Sequence, residues 1–189
     1  MKELKEIFFD LETKLWSTEV EGGFSNISAF GLSVAATSWG DSNSYQQWME
    51  NDANELVNEL ERADKVIGFN ILRFDYEVLS AYVPNTHEML DRKSFDIFTD
   101  LEKLLGFRLS LEVICSATLG KSKLAKAEDA IKWWRQGQVE KVILYCQKDV
   151  ELTKEIYQYG QRHGFIRYPR LGQLVELPVY WGIGKLSNT

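Results

Sequence analysis

The residues best suited to chemistry in this chain are acidic and fall in three places. Asp10 and Glu12 close the apolar run Glu6-Ile7-Phe8-Phe9. In an extended chain, positions i and i+2 project from the same face, so both carboxylates aim together while Leu11 faces the core. Two like charges a few ångströms apart repel unless a cation lies between them. The pair is therefore a candidate metal site as well as an ordinary solvated strand end. Asp75 ends the stretch Gly68-Phe69-Asn70-Ile71-Leu72-Arg73-Phe74-Asp75, which reads as a strand, a turn and the first turn of a helix. The helix dipole favours a carboxylate there whatever its chemistry. Asp149 follows Tyr145 by four residues in a long helical stretch, so the two stack on one face, one turn apart. Val139, Val142, Ile143, Cys146, Val150 and Thr153 form an adjoining stripe that would press this helix on a sheet and bring Asp149 to the sheet's edge.

Read in order, D-x-E (Asp10, Glu12), N-x-x-x-F-D (Asn70, Phe74, Asp75) and Y-x-x-x-D (Tyr145, Asp149) resemble the three exonuclease motifs of the DEDD superfamily, on its RNase H-like fold. Tyrosine four before the last aspartate resembles the DEDDy branch. The histidine branch would carry His at position 144, which is leucine, and neither His87 nor His163 is near a motif. Val66 to Leu79 and Leu119-Gly120-Lys121 further resemble exonuclease domains related to family-B DNA polymerases. The resemblance runs from Ile7 to Tyr159 with no motif residue missing, and implies a nuclease domain standing alone, without a polymerase.

That resemblance implies that Asp10, Glu12, Asp75 and Asp149 hold two divalent cations, Mg²⁺ or Mn²⁺, with Asp10 bridging them and Asp75 acting partly through water. Hard oxygen ligands without His or Cys suit such ions and argue against zinc. A pair of ions roughly 3.5–4 Å apart stabilises both the attacking and the leaving oxygen of an in-line displacement. Tyr145 would position the attacking water, because a phenol of ordinary pKa about 10 is a poor base at pH 7. The implied partner is a nucleic acid, DNA or RNA, with a single-stranded 3' end. Leu11 and Thr13 would meet its last nucleotide through backbone amides, and Asn70 and Phe74 by hydrogen bonding and packing. Lys121, Lys123 and Lys126 form the densest basic cluster, suited to phosphates or to a solvated loop. Trp133 and Trp134 could stack on bases, although helical spacing puts one of them in the core. Asp96 fits a helix N-cap better than a metal ligand. The competing readings are a catalytically silent RNase H-like module and an endonuclease of the same fold.

The elements that must position these side chains can be read from the same pattern. The chain's 189 residues and 44% hydrophobic content suit one packed domain. Strands are expected at Glu6–Phe9, Ile27–Trp39, Ser44–Trp48 and Lys65–Phe69. Asp52 and Glu55 read as a capping box opening a helix. Further helices are expected at Arg73–Tyr82, Ile97–Gly106, Ser110–Leu119, Ala127–Gln136 and Gln138–Arg162, with Gly106, Gly120 and Gly137 at C-terminal caps. A strand-rich first half followed by helices predicts an α/β fold: a mixed central β-sheet flanked by α-helices. Residues 1–164 would form the nuclease domain, and 165–189 a tail packed on it. No apolar run is long enough to span a membrane, Ile27 to Ala36 being short and broken by serines. The N-terminus lacks a secretion signal, and two cysteines outside any CxxC read as buried thiols, which together predict a cytoplasmic protein. The net charge of −6 is unusual for a nucleic-acid binder, but two bound divalent cations would bring the total to about −2, with the added positive charge concentrated where a phosphate would sit.

Overall fold

The computed structural model describes residues 4–40, 42–122 and 127–182. A five-stranded sheet runs in the order β3-β2-β1-β4-β5. The strands are β1 (Glu6–Thr13), β2 (Leu32–Trp39), β3 (Gln46–Met49), β4 (Lys65–Gly68) and β5 (Ser94–Asp96). β1–β2 and β2–β3 pair antiparallel, whereas β1–β4 and β4–β5 pair parallel, so the sheet is mixed as the sequence predicts. Crossing from β3 to β4 is α1 (Ala53–Glu61), followed beyond β4 by the short helices α2 (Tyr76–Ser80) and α3 (Thr86–Leu90). After β5 come α4 (Ile97–Leu105), α5 (Leu111–Leu119), α6 (Ala127–Arg135) and α7 (Val139–His163).

β1 is buried on both faces, and its alternation sorts its side chains between two cores. Phe8 packs with Val142, Cys146, Val150 and Tyr157 of α7. Ile7, Phe9 and Leu11 pack with Leu56 and Leu60 of α1 and Tyr76 and Leu79 of α2. Asp10 and Glu12 share the parity of Phe8 and so belong to the α7 face. β4 is last paired to β1 at Phe8–Ile67, which leaves Asp10 and Glu12 beyond the carboxyl end of β4. In open α/β sheets that end is where ligands bind.

The structure departs from the sequence reading at three places that matter to the site. Ile27–Trp39 is not one strand: Ile27–Phe30 is a 3₁₀ turn, and Gly31 at φ 70° breaks the chain before β2. Asp52 does not cap α1 through its side chain but accepts from Met49 N–H at 2.9 Å, closing the 3₁₀ turn before the helix. The helix expected at Arg73 is preceded by a π-helical turn, Ile71–Asp75, and ends at Ser80 rather than Tyr82. A Cβ on Gly68 would lie 2.2 Å from Ile71 Cγ2 and 3.0 Å from Phe9 O, so only glycine lets this wide turn close against β1.

The tail is a hairpin, β6 (Phe165–Arg170) and β7 (Gln173–Pro178), followed by Trp181. It is docked by specific groups. Thr118 of α5 exchanges hydrogen bonds with the Arg167 backbone at 2.8 and 3.0 Å. The indole of Trp181 stacks on Tyr157 and donates to Asp100 at 2.7 Å. Among the described residues, no helix is long and apolar enough to cross a membrane.

Candidate active site

Three of the four expected carboxylates converge. Asp10, Glu12 and Asp149 each present an oxygen within 4.8 Å of the others, a grouping able to hold a metal ion. β1 supplies two of them by parity. α7 supplies the third, because its apolar stripe lies on that same sheet face. A bulge between Glu12 and Thr13 shifts the β1–β2 register there and re-aims the strand end. The donor set is all carboxylate oxygen, the chemistry that hard divalent cations prefer.

Asp75 reaches the site by a different route. It is 3% exposed, and its Oδ1 accepts the Leu11 N–H at 3.1 Å, which ties the π-helical turn to β1. Burial, and then the charges of Asp10 and Asp96, push its carboxyl well above the ordinary range, against the hydrogen bond from Leu11. The Leu11 N–H is thereby engaged, so the expected backbone contact of Leu11 with a nucleotide is replaced by a structural one, and its side chain is core. Asp96 caps α4 through Thr99 N–H at 3.2 Å and also accepts from Asn70 and Leu72 at 2.8 and 3.1 Å. The sequence identified the cap; it missed the clamp that aims Asp75. Asn70 makes the clamp possible at φ 68°, a left-handed conformation that asparagine tolerates better than most residues.

Tyr145 is 1% exposed and lies one turn before Asp149. Burial, followed by the charges of Asp149, Glu12 and Asp10 and hydrogen bonding to Asp149, raises its phenol far above the ordinary value. It is a neutral O–H donor at any physiological pH. Trp133 of α6 packs edge-on against it, with ring centroids 6.3 Å apart. Trp133 and Trp134 are both half-buried against the fold, rather than one inside and one outside. Cys146 comes closer to the carboxylates than the sequence suggested. Its Sγ is 3.3 Å from Asp10 O and 3.7 Å from Asp10 Oδ2, and burial and the surrounding acids keep it a thiol. It serves as a hydrogen-bond donor to Asp10.

Of the remaining expected residues, Thr13 is buried at the wall of a cavity of about 310 Å³, and Phe74 lines the same cavity. Asn70 and Phe74 line a neighbouring one of about 290 Å³. Lys121 is directed elsewhere: its ammonium meets Glu155 at 2.6 Å and Glu151 at 4.0 Å. Glu155 lies six residues past Asp149, roughly 9 Å farther along α7. Lys123 and Lys126 lie outside the described residues. Sequence reasoning missed two residues of the loop after β1: Phe24, which lines both cavities, and Trp16, which lines the one beside Thr13. Their only signal was two aromatics in a polar, glycine-containing loop.

This sheet order, with carboxylates gathered from the end of β1 and the middle of α7, defines a nuclease-like fold. The sequence profile of the RNase H superfamily matches residues 7–161, and the chain belongs to that superfamily. No curated protein matches it by sequence. Among solved structures it is similar to the family B DNA polymerase from the hyperthermophilic archaeon Pyrobaculum calidifontis, with a TM-score of 0.60 and 11% identity. The match covers 84% of this chain and 25% of the polymerase chain, so the likeness is of fold and to one part of a larger protein.

Proposed function

We propose that the chain is a metal-dependent 3'-5' exonuclease of the DEDDy type, acting on the single-stranded 3' end of DNA or RNA. The observation that carries the reading is the convergence of Asp10, Glu12 and Asp149, from two distant segments, beside a buried Tyr145. Asp10, Glu12 and Asp149 would hold Mg²⁺ or Mn²⁺, with Asp75 engaged partly through water. Two such ions would activate water and stabilise the attacking and leaving oxygens of the phosphodiester. Tyr145, held as a neutral donor, would orient the attacking water by its O–H rather than remove its proton. The Leu11–Asp75 and Cys146–Asp10 hydrogen bonds would hold the carboxylates in place. The cavity beside Thr13 and Phe74 would seat the terminal nucleotide, since Thr13 follows Glu12 and Phe74 precedes Asp75. Cys115 and Cys146, both buried thiols outside any disulfide, support a cytoplasmic setting.

The test is to incubate the protein with 5'-labelled single-stranded DNA and RNA oligomers in Mg²⁺, Mn²⁺ or chelator, beside Asp149→Ala. The expected result is a metal-dependent ladder shortening from the 3' end, absent in the variant. Internal cuts would make the enzyme an endonuclease. Intact oligomers in both metals would leave a silent binding module.

A further inference from the structure

Among the described residues, four strands end a sheet: β3 and β5 in the main sheet, β6 and β7 in the hairpin. An edge strand offers unpaired N–H and C=O groups to another chain unless it is short, charged, interrupted by proline or bulge, or covered. β5 is three residues long and ends in Asp96. β6 is covered by α5, whose Thr118 bonds to the Arg167 backbone. β7 carries Glu176, paired with Arg167, and ends in Pro178. β3 is short as well, at four residues, but has none of the other devices. From Ser42 to Met49 there is no charged residue and no proline. Its register with β2 runs from Gln46 to Met49 without a bulge. Ser42, Asn43, Ser44, Gln46 and Gln47 are nonetheless exposed.

We propose that the free edge of β3 pairs antiparallel with β3 of a second copy of this chain, joining the two main sheets into one. The strand is well anchored for such a contact. Trp48 is 7% exposed, and its indole donates to Thr37 of β2 at 3.0 Å. Lys154 of α7 donates to Ser42 O at 2.6 Å and fixes the approach to the strand. The charge pattern selects the occupant. Each copy has a net charge of −6, so two copies approach most easily where neither is charged. Across a twofold axis a strand meets itself. A lysine or glutamate near the axis would face its own kind, whereas the amides of Gln46 and Gln47 both donate and accept. A foreign strand would be selected by charge along the edge, and β3 offers none. Glu50, the first charge after the strand, is already engaged by Lys14 and Tyr82. Antiparallel addition keeps each sheet face continuous, so α7 of both copies covers one face of a ten-stranded sheet and α1 the other. β1 runs parallel to β3, because each is antiparallel to β2. The two clusters of Asp10, Glu12 and Asp149 therefore open in opposite directions along the strands. A four-residue strand stays below the roughly 800 Å² per partner of a standard interface, so the dimer is weak and concentration-dependent.

Sedimentation velocity of the full chain tests this over protein concentrations of about 1 to 200 µM. The buffer contains chelator, so that no cation bridges the acidic clusters. The samples are wild type, Gln46→Lys/Gln47→Lys, Gln46→Glu/Gln47→Glu and an equimolar mixture of the two variants. Both side chains are exposed, so circular dichroism should show wild-type folding in each variant. Wild type should pass from monomer to dimer across the range. Each double variant should dimerise about tenfold more weakly or worse, since like charges then face one another across the axis. The lysine variant carries two fewer net negative charges than wild type, so relief of general repulsion alone would make it associate more readily. The mixture should regain the dimer, because the lysines of one copy meet the glutamates of the other. Wild type that stays monomeric throughout overturns the proposal and leaves the β3 edge to a strand of another protein. A dimer that both variants form as readily as wild type places the contact elsewhere, and variants that stay monomeric when mixed show that the β3 edges do not face each other. Either result overturns it.

Discussion

Asp75→Asn separates the cost of building this site from its use. Asparagine keeps an oxygen for the Leu11 N–H and removes a charge that is buried and faces Asp10 and Asp96. Because the folded-state pKa of Asp75 is raised, its contribution to stability is fully present below the ordinary value of 3.8 and is lost as pH rises through the folded pKa. Without metal, wild type is therefore the less stable protein at neutral pH. The penalty has a ceiling, since at pH 7 a carboxyl of ordinary pKa can be protonated for about 4 kcal/mol, and a buried charge cannot cost more than that escape. At roughly 2–4 °C per kcal/mol for a chain of this size, Asp75→Asn should melt higher than wild type by several degrees, at most about 10–15 °C. The assay is thermal unfolding in chelator at several pH values between 4 and 8, then with Mn²⁺. The gap should close as pH falls toward 4. Saturating metal at about 100 times Kd should return roughly 2.7 kcal/mol to wild type and less to the variant. A variant that melts lower than wild type in chelator, by the same amount at pH 5 and pH 8, would refute the reasoning.

Other perturbations test separate parts of the structure. Tyr145→Phe should slow hydrolysis about tenfold to a hundredfold by losing a positioning donor, whereas Asp149→Ala should abolish it; equal losses in single-turnover rates would reject that division. Gly68→Ala forces a Cβ to 2.2 Å from Ile71, and should cost about 1–3 kcal/mol and lower metal affinity by displacing the turn that carries Asp75, as read by denaturant unfolding and Mn²⁺ titration. Trp181→Ala should destabilise the fold by about 3–5 kcal/mol, since the indole stacks on Tyr157 and fills the space over Gly160; a change under 1 kcal/mol would mean that the tail does not contribute to the core.

The parts of the site legible in the sequence are those governed by local periodicity. The D-x-E pair had to share a face because strand side chains alternate, and Tyr145 had to stand one turn from Asp149 because both lie on a continuous helix. The buried stripe of α7 and the β-branched and aromatic strands likewise fixed an α/β fold with a mixed sheet. Boundaries failed where one backbone conformation overrode propensity, as at Gly31, where an expected strand is split, and at Asn70, where a π-helical turn precedes the expected helix.

What only the tertiary structure decided is which groups meet across segments far apart in sequence. By its own position Asp75 reads as a helix-start acid, and only the resemblance makes it a ligand; the Leu11 N–H ties it to β1 between Asp10 and Glu12, and Asp96 clamps the turn that carries it. Lys121 read equally as a phosphate contact and as part of a solvated loop, and in the structure its ammonium pairs with Glu155 on the neighbouring helix. Phe24, in a loop with no periodic signal, becomes the wall of two cavities, and Glu102 gathers two arginines that stand 35 positions apart in the sequence. The reason is physical. Backbone periodicity fixes the direction of a side chain relative to its own element, but its neighbours depend on which face of the sheet each helix covers and on where each turn stops, and those are set by packing.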